Sequence, residues 1–252
     1  MLHKETVETG TLDLIHRLMK DEQLKEFTLV GGTALSLQIG HRISVDIDLF
    51  NKREFDSEML QRYLIRKYQA ENFKTGVNSV LCFIENVKVD LISHRFPDIK
   101  PIIIEEEIRM ASLEDIGAMK LNAITRDGTR FKDFVDMHVL LEHRPLEVYG
   151  AAFENKYDNQ SRAIAYLCMS YHKDIELDTL KFIGKELTLP LIAERLQQAI
   201  YHPTQLFNKY EELSLSKELK RDTRKEQKKE EKLDQEMKQI RQRPDRSRGY
   251  RM

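Results

Sequence analysis

The sequence predicts an α+β fold, in which helices flank a mixed β-sheet and are followed by a small helical region and a charged tail. Three observations indicate this class. Strand-like and helix-like segments alternate near the start, two adjacent strand-like runs form a hairpin, and helical patterns follow that hairpin. We expect the sheet domain over residues 1–145, the helical region over 146–215 and the tail over 216–252.

Hydrophobic spacing assigns the elements that precede the hairpin. Apolar residues three or four apart indicate helices, and apolar residues that alternate with polar ones indicate strands. Gly31-Gly32 ends the first strand and Gly40 closes the second helix. The predicted elements are a helix over 12–24, a strand over 27–30, a helix over 33–39, a strand over 43–50 and a helix over 56–68.

The rest of the chain begins with the hairpin and is then helical. Glu85-Asn86 joins the two hairpin strands, whereas Pro145 and Gly150 are expected to break the helical pattern. The predicted elements are strands over 78–84 and 87–93 and helices over 113–124, 131–141, 163–171 and 191–200.

Charge is unevenly distributed along the chain. The 41 Lys and Arg residues nearly balance the 42 Asp and Glu residues, but residues 216–252 hold 14 basic and 8 acidic ones. The tail is therefore basic and the remainder acidic. Because apolar residues are sparse in the tail, we expect a solvated helix and then disorder.

Two further features concern the cellular setting. Cys82 and Cys168 lack a CxxC spacing, so neither a disulfide framework nor a thiolate zinc site is expected. The N-terminus lacks the apolar run of a signal peptide, and no stretch approaches the ~18 apolar residues of a membrane span. These observations predict a cytoplasmic protein with no membrane partner.

Two carboxylates share one face of the predicted strand 43–50. Asp46 and Asp48 are two residues apart, which places them roughly 6.6 Å from each other, while Val45, Ile47 and Leu49 face the core. Such neighbours repel each other unless a cation lies between them, and Mg²⁺ accepts this arrangement. The alternative is a pair of exposed acids on an edge strand.

A third carboxylate, Asp90, alternates with the apolar residues Val89 and Leu91 on a later strand. If the two strands are neighbours, the three acids form a two-metal site of the kind used in phosphoryl chemistry.

The Gly31-Gly32-Thr33 turn lies where a strand ends and a helix begins. Glycines allow backbone N–H groups to approach an anion, and a helix N-terminus attracts negative charge. Thr33 is expected to cap the helix or to contact a phosphate oxygen. The alternative is a purely structural turn.

Lys120 lies on an otherwise apolar helical stripe. It either extends to solvent or holds its charge against a triphosphate. Asp133 and Asp136, one helical turn apart, either orient Lys120 or Arg126 or face solvent.

These pieces, in this order, resemble the nucleotidyltransferase superfamily and, more closely, its AbiEii/AbiGii toxin family. The resemblance covers about residues 10–145, and Lys132 stands where family members often have Arg. The matching segments are GGTAL at 31–35, GHR at 40–42, SVDIDLF at 44–50, AMKLNAI at 118–124 and KDFVD at 132–136.

The resemblance implies a nucleotidyltransferase domain that transfers a nucleotide from an NTP with Mg²⁺ as cofactor. It further implies RNA, notably tRNA ends, as the acceptor and a cognate antitoxin as a partner. The expected catalytic residues are Asp46, Asp48, Asp90 and Lys120, with the three aspartates as metal ligands. The expected nucleotide-binding residues are Gly31, Gly32, Thr33, Arg42, Ser44, Asp133 and Asp136.

Two other functions remain open from the sequence. One is nucleotide transfer to a small molecule, as in antibiotic-modifying enzymes, although the basic tail favours RNA because clustered Lys and Arg bind phosphates. The other is a non-catalytic protein whose tail binds a partner. The presence of all three acids argues against it.

Overall fold

A seven-stranded mixed sheet lies at the centre of the computed structural model, which describes residues 1–208. The strand order is β3-β4-β5-β2-β1-β7-β6, with β2 parallel to β5 and β1 parallel to β7. The strands are β1 (Thr28–Val30), β2 (Ile47–Asn51), β3 (Glu71–Gly76), β4 (Ser79–Ile84), β5 (Val87–Ser93), β6 (Ile103–Glu105) and β7 (Ile108–Met110).

Helices surround the sheet and continue beyond it. Helix α4 contacts α5, α6 and α7, and α5 also contacts α8. The helices are α1 (Thr9–Met19), α2 (Gly31–Ile39), α3 (Ser57–Tyr68), α4 (Leu113–Arg126), α5 (Phe131–Leu140), α6 (Leu146–Lys156), α7 (Arg162–Met169) and α8 (Leu189–Tyr201). The predicted α+β class, with its mixed sheet and flanking helices, is confirmed.

The register of three central strands positions the candidate site. Val30 of β1 lies opposite Asp48 of β2, and Asp48 lies opposite Asp90 of β5. The predicted hairpin is also present as β4 and β5, with Glu85 and Asn86 at positive φ in its two-residue turn. The strands that carry Asp48 and Asp90 are therefore direct neighbours.

The predicted strand over 43–50 is wrong at its start. The strand begins at Ile47, because the preceding backbone is hydrogen-bonded elsewhere: the Ile43 N–H to Lys181 and the Ser44 N–H to Thr6. Val45 is consequently 57% exposed rather than in the core. Asp46 lies on this loop, directly before the strand.

Other local predictions need correction. Helix α2 begins at Gly31 instead of residue 33, and the first predicted helix ends at Met19, followed by a short 3₁₀ turn. Gly150 lies inside α6 rather than breaking it, since one glycine costs a helix only about 1 kcal/mol. Strands β3, β6 and β7 were not predicted, because they are short or strongly polar.

Residues 1–207 form one compact unit. The predicted boundary at residue 145 stays a prediction, and the predicted tail over 216–252 lies outside the described residues. Within residues 1–208, Cys82 and Cys168 are free thiols, and none of the helices is both long and apolar enough to cross a bilayer.

Candidate active site

The three predicted carboxylates line one cleft. Asp48 and Asp90 are cross-strand partners on the same sheet face, and neighbouring strands lie about 4.8 Å apart. Asp46 reaches the same cleft from the loop before β2. The cleft has about 1090 Å³ of empty space, including its open mouth. The structure thus brings together the acids whose adjacency the sequence left open.

The charges of these carboxylates are incompletely balanced. In the described part of the chain, the Asp48 carboxylate takes part in no hydrogen bond or ion pair, and Asp90 Oδ1 is buried without a partner. Burial raises the pKa of Asp48, and the nearby Asp90 and Asp46 raise it further, against the opposing effect of Lys120. A cation bound here would relieve both the burial cost and the repulsion.

Two lysines lie against the carboxylates. Lys88 Nζ donates to Asp90 Oδ2 at 2.6 Å, and Lys132 Nζ lies 3.6 Å from Asp46 Oδ2. As these side chains lie, residues 1–208 contain no group of three or more His, Cys, Asp or Glu side chains arranged to hold a metal ion. The donor set nevertheless suits Mg²⁺, since it offers hard carboxylate oxygens, one of them buried and unpartnered.

Gly31 and Gly32 form the N-terminus of α2 beside these carboxylates. Gly31 has φ of +69°, and a side chain there would collide with Asp48 Oδ2; one at Gly32 would collide with the Arg42 guanidinium. Val30 precedes the helix and provides no side-chain cap. The first N–H groups of a helix have no partner within it, so this end can bind an anion.

Thr33 does not cap α2, and its predicted contact with a phosphate stays a prediction. It is 1% exposed, and its hydroxyl donates to the Asp46 carbonyl oxygen and lies 2.9 Å from the Ser44 hydroxyl. It neither caps α2 nor lines the cleft. Thr33 instead fixes the loop that carries Asp46.

Asp136 is the centre of a buried ionic cluster behind the cleft. Arg42 donates to both of its oxygens, at 2.8 and 3.0 Å, His41 Nε2 lies 2.8 Å from Oδ1, and Lys120 Nζ lies 2.6 Å from Oδ2. Burial opposes ionisation, but Arg42 and Lys120 outweigh it and hold the pKa of Asp136 well below its usual range. Asp136 is fully buried and does not reach the cleft itself. Its two cationic partners, Arg42 and Lys120, both line the cleft, so Asp136 positions them there.

Lys120 does not extend to solvent, so that alternative is wrong. It is 6% exposed and also contacts Asp133 at 2.8 Å. Burial disfavours its charge, but Asp136 and Asp133 raise its pKa overall. Asp133 is shared with Arg130, whose Nε donates to it at 2.8 Å. Lys120 is thus a preorganised cation whose charge is maintained.

The other end of the cleft is apolar and was missed by sequence reasoning. It is lined by residues from four segments that are far apart in the chain: Phe50, Ile92 with His94, Met119 and Tyr157. Phe50 and Ile92 were detectable, since each lies two residues after a predicted carboxylate on the same strand face, but no local signal adds Met119 or Tyr157. Lys88 was detectable in the same way, since it lies two residues before Asp90.

Comparison with known proteins identifies the class. The family described as nucleotidyl transferase AbiEii toxin, type IV TA system, matches residues 13–241. Together with the paired strand carboxylates, this match defines a nucleotidyltransferase. The chain belongs to the AbiEii nucleotidyltransferase toxin family, and the resemblance drawn from the sequence is confirmed.

Individual relatives are more distant. A protein of Aquifex aeolicus, described as uncharacterized, is 27% identical over 155 residues, which are 59% of this chain and 75% of that protein. A structure from H. pylori described as a nucleotidyltransferase is 22% identical, with a TM-score of 0.49 over 78% of this chain and 96% of its own. The antibiotic-resistance factor ANT(2'')-Ia is 14% identical, with a TM-score of 0.46 over 57% of this chain and 90% of its own.

Proposed function

We propose that this nucleotidyltransferase uses Mg²⁺ to transfer a nucleotide from an NTP to a hydroxyl of an RNA acceptor, such as a tRNA end. The observation that carries this proposal is the register of β2 and β5, which aligns Asp48 with Asp90 beside the N-terminus of α2. An anion site thereby adjoins a pair of carboxylates that need a cation.

The proposed metal ligands are Asp46, Asp48 and Asp90. Bound Mg²⁺ would supply the positive charge that neutralises the phosphates of the NTP. Lys88 contacts Oδ2 of Asp90 and Lys132 lies near Oδ2 of Asp46, so each ammonium group would compete with a metal for that oxygen.

The chain's own residues have the following proposed roles. The N–H groups at Gly31 and Gly32 hold the phosphates, and Arg42 and Lys120 balance the charge of the leaving group. The acceptor oxygen forms a bond to the α-phosphorus, the bond to the β-phosphate oxygen breaks, and pyrophosphate leaves. Asp90 Oδ1 lacks a partner and accepts the proton of the hydroxyl.

RNA is the proposed acceptor for two reasons. The family is described as a toxin of type IV toxin–antitoxin systems, and RNA is what the sequence resemblance implies for such enzymes. Residues 216–252 also carry 14 basic against 8 acidic residues, and basic segments bind nucleic acid by releasing counterions. A cognate antitoxin that relieves the toxicity is part of the same proposal.

The test is transfer of label from α-labelled NTP with Mg²⁺ to tRNA, using Asp48→Asn as the inactive variant and the exposed Asp13→Asn as a matched control. We expect Asp48→Asn to lose at least about 10²- to 10³-fold in rate, and Asp13→Asn to stay at the wild-type rate. Unchanged transfer by Asp48→Asn would refute the assignment. Label that appears only in a small-molecule fraction would show a different acceptor.

A further inference from the structure

Along β2 and β5, the lining of the cleft changes from carboxylates to apolar and aromatic side chains. Asp48 and Phe50 lie on one face of β2, as do Asp90 and Ile92 on β5, and His94 directly follows that strand. A spacing of two residues is roughly 6.6 Å, so Phe50 is one step from Asp48, and His94 lies roughly 13 Å from Asp90. The ribose and base of a nucleotide fit within this span.

The rings at this end form one cluster. Phe50 and His94 have centroids 5.0 Å apart, His94 and Phe96 4.7 Å, and Phe96 and Tyr157 4.7 Å. The Tyr157 hydroxyl lies 3.3 Å from His94 Nε2, which fixes the imidazole. All three of Phe50, His94 and Tyr157 line the cleft, where Phe50 and His94 are partly exposed and Tyr157 is almost completely buried.

His94 is uncharged in this setting. Burial, helped by Lys156, lowers its pKa to about 4. The ring is therefore neutral near pH 7, which suits it to stacking rather than to phosphate binding.

We propose that Phe50 and His94 form a stacking subsite for a nucleobase, which is carried either by the NTP or by the acceptor strand. This inference rests on the proposed function, because continuity with the phosphate and metal end places a nucleotide in the cleft. Flat, uncharged rings stack on any base, since every base has a π-face. Discrimination among bases at this subsite is accordingly weak.

The first experiment compares Mg²⁺-dependent binding of an NTP with that of inorganic tripolyphosphate by calorimetry. If the NTP supplies the base, His94→Leu weakens NTP binding roughly 5- to 150-fold and leaves tripolyphosphate binding unchanged. Phe96→Leu is the matched control, because Phe96 belongs to the same ring cluster but does not line this cleft. Phe50→Leu provides a second test should His94→Leu fold poorly.

The second experiment distinguishes the two sources of the base. A 2-aminopurine riboside triphosphate, or a short RNA with 2-aminopurine at its 3′ end, should lose fluorescence when its base stacks in the wild-type protein. The proposal is supported if His94→Leu abolishes the quenching of a probe and Phe96→Leu retains it. The probe that is quenched shows whether the NTP or the RNA acceptor supplies the base.

Two results are decisive against it. If His94→Leu and Phe50→Leu both bind the NTP and the RNA as the wild type does, with full quenching, the subsite does not exist. If the wild type binds neither tripolyphosphate nor NTP, the proposed function itself fails and this inference falls with it.

Discussion

Two carboxylates of this protein, one buried and one partly exposed in the cleft, have opposite environments. Asp115 in α4 accepts hydrogen bonds from the backbone of Ile99 and Lys100, from Ser112 and from Lys156. Burial raises its pKa, but these partners lower it overall. Asp48 makes no such contacts within residues 1–208, and its pKa is raised. The fold supplies partners for the first carboxylate, whereas the described residues supply none for the second.

The comparison shows where the protein accepts an energetic cost. A buried charge normally has hydrogen-bond or ionic partners, because an unpaired one is strongly unfavourable. Asp115 and Asp136 follow this rule, but Asp90 Oδ1 does not, and the partly exposed Asp48 also has no such partner within residues 1–208. A departure of this kind, in a cleft that also holds cations, is typical of a functional site.

The largest expected effect is on stability, in Asp136→Asn. This change leaves Arg42 buried without its carboxylate and Lys120 with Asp133 alone, so we expect the free energy of unfolding to fall by about 3–5 kcal/mol. Urea unfolding followed by circular dichroism measures it, with Asp13→Asn expected within about 0.5 kcal/mol of wild type. A loss below about 1 kcal/mol for Asp136→Asn would contradict the role given to the cluster.

A second change tests the satisfied carboxylate. Lys156→Met removes the ammonium that contacts Asp115 at 2.7 Å and the Pro97 carbonyl at 2.8 Å. We expect a loss of about 3 kcal/mol in unfolding free energy, with nucleotide transfer per folded molecule largely kept. If transfer disappears while stability is unchanged, this ion pair belongs to the site and the contrast with Asp48 is wrong.

The third prediction compares the pH dependence of the two carboxylates. A carboxyl group whose pKa is lowered by folding stabilises the protein above the unfolded value of about 3.9, and this stabilisation is lost as pH falls through the folded pKa. A carboxyl group whose pKa is raised by folding destabilises the protein at high pH, and this destabilisation disappears as pH falls below the unfolded value. Asp115→Asn should therefore destabilise the protein at pH 7 and less so in acid. Asp48→Asn should stabilise it at pH 7, on the order of 1 kcal/mol, with the gain vanishing below about pH 4.

Thermal unfolding at several pH values, without divalent ions, measures both variants. If both variants change the stability in the same direction at pH 7, the two carboxylates do not differ as described. Addition of Mg²⁺ should stabilise the wild type and leave Asp48→Asn unaffected.

The smallest expected effect concerns Lys88. Its ion pair with Asp90 is 39% exposed on the lysine side, and pairs of this kind are worth up to about 1 kcal/mol. Lys88→Met should therefore tighten Mn²⁺ binding by up to about fivefold, as measured by electron paramagnetic resonance titration. Lys74→Met, an exposed lysine on β3, is the control. Weaker Mn²⁺ binding by Lys88→Met would show that Lys88 does not compete with the metal.

Local patterns were sufficient for part of the site. Alternation along 87–93 placed Asp90 on the polar face of its strand, and the hairpin turn was recognisable from two residues. These features depend on neighbours in sequence. The adjacency of Asp48 and Asp90 was left open, because strand order is a property of the whole sheet.

The remaining features depend on contacts between distant segments. Arg42 and Asp136 are 94 residues apart, and His94 and Tyr157 are 63 apart, so no local periodicity reports their contact. The start of β2 was misplaced for the same reason, since alternation continues back to Ile43 while its hydrogen bonds go to Lys181. Sequence motifs identified several of the charged groups that line the cleft but not the arrangement that holds them.

The close approach of Gly31 to Asp48 has a genetic consequence. Any residue that replaces Gly31 has an unfavourable backbone angle there, and its side chain collides with the Asp48 carboxylate. The buried apolar residues of the core are not changed by such a replacement. If expression of this gene arrests growth, colonies that survive induction and still accumulate full-length protein should be enriched in changes of the Gly31 codon. Sequencing the gene in surviving colonies would thus test the geometry of this turn without any purified enzyme.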